Sequence, residues 1–213
     1  RLIQWRTDYA TVMPSLLAMD FLLIAASAWL AVGLSGLAAP RNTRFIAKVL
    51  FPLGALIGLA VGVTSLGYLG QSAETAVLAI GLPTLPFHLR LDNLAAVFAL
   101  LLGFASFGIS IYAAGYFRKG EGTAPGLLCL EYHVFLASML MVLLADDAYA
   151  FMVAWETMAI SSFFLVTTDH KHEEIRRAGF IYLLVAHIGA ISILLSFGVM
   201  TGGAGDYSFA AMR

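Results

Sequence analysis

The stretch Ala154-Trp155-Glu156-Thr157-Met158-Ala159-Ile160-Ser161-Ser162-Phe163-Phe164-Leu165-Val166 is an apolar run of helix length with one carboxylate near its start. The composition around it decides which solvent the chain folds against. Of 213 residues, 61% are hydrophobic and only 12% charged, against about 25% charged in soluble domains, and the mean hydropathy is +0.89. That solvent is lipid. A carboxylate held at membrane depth is costly, so it faces a protein interior and serves an ion or proton path more often than not. The net charge of -1 provides no basic field for nucleic acid. Cys129 is the single cysteine, which excludes an intrachain disulfide and any cysteine-based zinc or iron–sulfur site. It reads as a small hydrophobe at a helix start. The chain has no phosphate-cradling glycine loop and no nucleophile elbow.

Working outward from Glu156, a hydrocarbon core about 30 Å thick needs about 20 apolar residues per crossing. Six such runs predict an all-α, polytopic helical bundle spanning 13–38, 45–69, 93–117, 126–145, 148–168 and 177–200. Pro14 falls at the opening turn of the first, where a missing N–H does no harm, and no signal-peptide pattern precedes it. Gly54, Gly58 and Gly62 recur every four residues on the second and align a smooth strip for close packing. Between Gln71 and Leu91, Pro83, Pro86, His88 and Arg90 interrupt the apolar pattern, which predicts a surface loop. Asp92 is positioned to cap the third helix. The sequence starts at Arg1 and stops at Arg213 in a polar, Gly-rich tail, so a fragment of a longer polypeptide is expected.

The basic residues test this layout. Cytoplasmic loops carry the excess of Lys and Arg. Arg41, Arg44, Lys48, Arg118, Lys119, Lys171, Arg176 and Arg177 fall on one side, and Arg1, Arg6, Arg90 and Arg213 on the other, accounting for all twelve. This places the first, third and fifth connections in the cytoplasm and both ends outside an inner (cytoplasmic) membrane. Glu156 then lies about 12 Å from the outer surface and His187 about 15 Å from the opposite one, at 1.5 Å per residue. Carried on consecutive antiparallel helices, the two share a layer near the midplane, where a carboxylate and an imidazole can exchange a proton. Two plainer readings stand beside this: Glu156 as partner of a basic residue on a neighbouring helix, and His187 satisfied by a backbone carbonyl. Asp20 reads as structural, snorkelling outward or paired with its neighbours, and Lys48 as snorkelling at a helix end. Asp146 and Asp147 read as a solvated hinge, with cation collection at a pore exit as the alternative. His170 and His172 sit in a charged loop with no third ligand beside them, so no metal site is expected. Glu131 and His133 are assigned to the interface.

Several motifs carry a resemblance: Leu91-Asp92-Asn93-Leu94; Ser138-Met139; Asp146-Asp147; Phe151 ahead of Trp155-Glu156, Met158 and the run Ser161 to Val166; Ala178-Gly179-Phe180-Ile181-Tyr182-Leu183; and Ala186-His187-Ile188-Gly189. In order and spacing these resemble the antiporter-like membrane subunits of respiratory complex I and membrane-bound hydrogenases, most closely the hydrogenase-4 and formate hydrogenlyase branch. The resemblance covers the chain from about Leu91 onward. It implies a proton-translocating subunit with no redox centre or cofactor of its own, embedded in the bilayer beside other membrane subunits and a peripheral redox arm. Glu156 then corresponds to the family's fifth-helix glutamate, whose partner is a lysine on a later, broken helix. Two alternatives remain open: a subunit of a multi-subunit sodium/proton antiporter, and a non-conducting membrane anchor for a redox complex.

Overall fold

The computed structural model describes residues 2–82, 85–116, 123–202 and 207–212. Arg1, Pro83, Arg118, Lys119, the Gly-Glu-Gly turn, residues 203–206 and Arg213 lie outside the described residues. Among the described residues, six helices are long and apolar enough to cross a membrane: α1 (Leu2–Leu37, its apolar part Ala18–Leu37), α2 (Thr43–Tyr68), α3 (Asn93–Tyr116), α4 (Pro125–Leu144), α5 (Ala148–Val166) and α6 (Glu173–Met200). A short α7 (Phe209–Met212) follows. The helix α1 extends back to Leu2, so Pro14 lies inside it rather than at its first turn. A proline removes one backbone bond and crowds the preceding turn, but the helix continues past it.

Local chemistry sets the ends. Asp92 caps α3 by accepting from Ala95 N at 2.9 Å, and Asn42 accepts from Phe45 N at 3.2 Å to start α2. Within α2, residues Ile46–Leu50 widen into a π-helical turn, with the Phe51 N–H reaching the Ile46 carbonyl five residues back. Pro52 follows at once. It has no N–H for the Lys48 carbonyl and its ring crowds that turn, which is why the helix loosens there.

The segment between α2 and α3 corrects the surface-loop expectation. It is an antiparallel hairpin of β1 (Glu74–Leu82) and β2 (Leu85–Leu91), pairing Glu74 with Leu91 and Leu78 with Phe87. The register shifts between Leu78 and Gly81, and Gly81 takes φ +121° there, a conformation side chains resist. Pro86 sits opposite Gly81 at that irregularity, where a missing N–H costs little. Phe87, Leu89 and Leu91 alternate with Pro86, His88 and Arg90, and Leu89 and Leu91 are buried.

The hairpin closes one end of a core built from Met19, Leu22 and Trp29 on α1, Val61 and Tyr68 on α2, Ala96 and Ala99 on α3, and Leu136, Leu140 and Leu144 on α4. The glycine strip of α2 serves this packing on two sides. A Cβ on Gly58 would strike Ser106 Oγ, one on Gly103 of α3 would lie 2.7 Å from the Gly58 carbonyl, and one on Gly54 would strike the His133 ring on α4. At the opposite end, Thr123 Oγ1 donates to the Thr168 carbonyl at 2.9 Å and Gly126 N to the Pro40 carbonyl at 2.9 Å, gathering the loops there.

Candidate functional site

Helices α5 and α6 run antiparallel and meet in successive rungs. At one end Gly179 of α6 lies against Thr167 and Phe163, and next the hydroxyls of Ser162 and Tyr182 are hydrogen-bonded. Then come Glu156 and His187, and beyond them Phe151 stands edge-on to Phe197 at 5.8 Å. The third rung is the site. His187 Nε2 lies 3.7 Å from Glu156 Oε2, with the histidine side chain 47% exposed and the glutamate 34%. On its other side, His187 Nδ1 is 2.9 Å from the Leu183 carbonyl. A carbonyl only accepts, so Nδ1 carries the hydrogen, and in the neutral ring the Nε2 lone pair faces the carboxyl. The backbone bond expected of His187 is present, and it aims the free nitrogen at Glu156. Among the described residues, no Lys or Arg forms an ion pair with Glu156. The Phe151 ring stacks on Trp155 at 5.5 Å, and the buried Trp155 Nε1 has no hydrogen-bond partner.

Asp147 is not a solvated hinge. It is 2% exposed, caps α5 by accepting from Ala150 N at 2.7 Å, and accepts from His88 N at 2.7 Å with His88 Nδ1 at 3.2 Å. Asp146 joins the same seam through its backbone, its N–H donating to the His88 carbonyl and its carbonyl accepting from Phe209 N. A buried carboxylate needs donors, and the hairpin provides them. Asp20 is exposed, two residues into the apolar part of α1. Lys48, His170 and His172 are exposed as well, with His172 Nε2 3.3 Å from Asp169 Oδ2.

Glu131 and His133 are also corrected: they are interior, not interfacial, at 8% and 0% exposed. Their places on α4 turn them inward, a fact that depth along one helix does not reveal. His133 Nδ1 donates to the Cys129 carbonyl at 2.7 Å, leaving Nε2 without a partner against Gly54. Cys129 is fully buried beside Ile46, Leu50 and Phe51. Glu131 Oε2 is buried and has no hydrogen-bond partner.

Comparison with known proteins shows what the chain is similar to. Residues 145–213, which carry both Glu156 and His187, match the family model described as NADH:quinone oxidoreductase/Mrp antiporter, TM. Over 171 residues the chain is 29% identical to hydrogenase-4 component B of Escherichia coli K12, covering 78% of this chain and 25% of that protein. Two solved structures share the fold: an archaeal membrane-bound sulfane sulfur reductase (TM-score 0.72, 21% identity, 91% of this chain and 29% of that one) and the Mrp complex of Dietzia sp. DQ12-45-1b (0.70, 22%, 90% and 20%). The chain is a multi-pass membrane protein of the antiporter-like type. Its residues 145–213 are similar to that family, and most of the chain is similar in sequence to one part of hydrogenase-4 component B. The chain spans about a quarter of the length of the curated relatives it matches.

Proposed function

We propose that this chain forms part of a proton-translocating membrane subunit in a respiratory oxidoreductase complex of the hydrogenase-4/formate hydrogenlyase or NADH–quinone type. The observation that carries this reading is the Glu156–His187 pair at 3.7 Å, held between two apolar helices with the Nε2 lone pair facing the carboxyl. One proton shared by the pair has two resting places, on the carboxyl beside a neutral imidazole or on the imidazole beside a carboxylate. Both states have the same net charge and differ in dipole, so a field along the pair shifts the balance between them. A positive charge arriving nearby disfavours the imidazolium; its departure restores it. Redox chemistry in attached peripheral subunits supplies that field, while this subunit holds no redox centre. Adjoining membrane subunits continue the path. The excess of basic residues in the first, third and fifth connections supports a cytoplasmic face there in the inner membrane.

The test is Glu156→Gln in the full-length protein within its assembled complex. The glutamine keeps the shape and cannot take up a proton. Loss of proton translocation with electron transfer retained is expected; a normal ratio of protons to electrons overturns the reading. A sodium/proton antiporter subunit is the second reading, favoured by the family description that names both classes. Sodium-dependent transport without coupled redox activity selects it. Transport of neither ion selects a non-conducting anchor.

A further inference from the structure

A cavity of about 700 Å³ opens where α4, α5 and α6 meet, lined among others by Glu131, Phe163, Thr167, His170, Arg176 and Leu183. Three features give it direction. At its outer end Arg176 Nη1 donates to the carbonyls of His170 and Lys171, at 2.8 and 3.0 Å, and holds the loop between α5 and α6 folded beside the opening. In its wall lies Glu131, more than nine-tenths buried, with Oε2 free of any hydrogen bond. At its inner end stands Leu183, whose carbonyl accepts from His187 Nδ1. The cavity thus reaches within one helical turn of the imidazole that faces Glu156.

An ionised carboxylate with a bare oxygen among phenylalanine and leucine side chains is untenable unless water solvates it or a proton neutralises it. The cavity of about 700 Å³ has room for about twenty water molecules, given about 30 Å³ for each in the liquid. We propose that this cavity is a hydrated proton-loading chamber and that Glu131 is its acceptor, feeding the Glu156–His187 pair from the loop face. The assignment rests on the proton-translocating reading above and adds the entry side to it.

Among the described residues, the titratable or charged groups facing Glu131 across the cavity are His170 and Arg176; α5 contributes Phe163, Phe164 and Thr167. The chemistry of this lining selects the proton over sodium. A bare metal cation needs several oxygen ligands, whereas one carboxylate, two threonine hydroxyls and a guanidinium beside apolar walls do not make a cage. In the loading step, a hydronium ion gives one proton to a Glu131 carboxylate oxygen, leaving water and a neutral acid. In the unloading step, the acid returns that proton to cavity water, and exchange of O–H bonds along the water delivers it to the basic member of the inner pair. Glu131 is then a carboxylate again, and no electron has moved.

The experiment uses the full-length protein in its assembled complex in membrane vesicles, with two readouts. Dicyclohexylcarbodiimide, which reacts with protonated buried carboxyls, is applied to unaltered protein over a range of pH, and adducts at Glu131 are read by mass spectrometry. Labelling that fades as pH rises supports the proposal, and no labelling at any pH overturns it. Proton uptake from the loop face during turnover is measured for Glu131→Gln and Glu131→Asp. Glutamine is expected to slow uptake about a hundredfold or more, the lower end of what one positioned proton carrier contributes, while aspartate retains most of it. Wild-type uptake in the glutamine variant overturns the proposal. The parallel Glu156→Gln complex separates the two readings: lost translocation with Glu131 still labelled keeps both, and normal translocation removes the inner pair alone. Should the glutamine variant fail to assemble, aspartate and the labelling of unaltered protein decide.

Discussion

Helices α1 to α4 and helices α5 to α6 are packed to different densities. The first group encloses Trp29, Val61, Tyr68, Leu140 and Leu144 completely, and backbone meets backbone at Gly58, Gly62 and Gly103. In α6, by contrast, only Gly179 and Ala190 are buried, and the helix meets α5 along a single seam. The polar chemistry follows this division. Beside the dense group, His133 Nδ1 is held by its own turn and Asp147 is held between the start of α5 and the hairpin, while Glu131 Oε2 and His133 Nε2 are buried without partners. On the open seam, Glu156 and His187 lie 3.7 Å apart, within ion-pair reach and beyond a hydrogen bond, so a proton passes between them through one water or when the two side chains close up.

The largest effect is expected where the dense group is tightest. In Gly103→Val the new side chain has no room between Gly58 and Gly62, so it is expected to cost about 3 kcal/mol or more, read as thermal unfolding in detergent. Gly189→Ala on α6 meets nothing within 4 Å and should stay within about 0.5 kcal/mol of the parent. Equal losses in the two variants would break the comparison.

Next comes the seam between hairpin and α5. Asp147→Ala removes a helix cap and leaves the His88 N–H without its acceptor, which together cost about 2 to 4 kcal/mol. Hydrogen exchange should then quicken in β2 and at the start of α5 together, because one carboxylate serves both. Quickening in α5 alone would mean that the hairpin is held by other contacts.

The six helices were legible because hydropathy reports the solvent directly, and the Asp92 cap because its partners lie three residues away. The layer shared by Glu156 and His187 was legible too, since depth in antiparallel neighbours follows from counting residues. The hairpin was overlooked although the strict alternation of Phe87, Leu89 and Leu91 with Pro86, His88 and Arg90 encodes a half-buried strand; its prolines and charges read as interruptions instead. Asp147 could not be read locally, because its partner His88 is 59 residues distant. Glu131 was misplaced for a related reason. Its burial is set by which way α4 turns against α5 and α6, and a single helix viewed alone does not contain that information.

The exposed seam predicts a smaller structural effect at His187. His187→Leu loses one bond to the Leu183 carbonyl on a half-exposed ring, so its stability should fall within about 1 kcal/mol of the parent. Proton translocation should drop far more than the melting temperature. A matched loss of both would make His187 a packing residue.

The smallest effect concerns Glu74 at the start of β1, which joins the hairpin to the dense group. Its Oε2 accepts from Met19 N at 3.3 Å, while Oε1 is buried without a partner. Desolvation raises its pKa, the Met19 bond lowers it, and the charge of Asp20 raises it further, leaving the carboxyl above its ordinary value. A raised native pKa means that the folded chain holds this proton more tightly than the unfolded one. Its contribution to stability is therefore fully present below the unfolded pKa and is lost as pH rises through the folded value. Glu74→Gln removes the dependence: unfolding measured from acid to neutral pH should show the parent losing stability relative to the variant as pH rises. A parent that gained stability relative to the variant over that range would mean that the Met19 bond outweighs desolvation, and that the hairpin docks on α1 through a charged carboxylate.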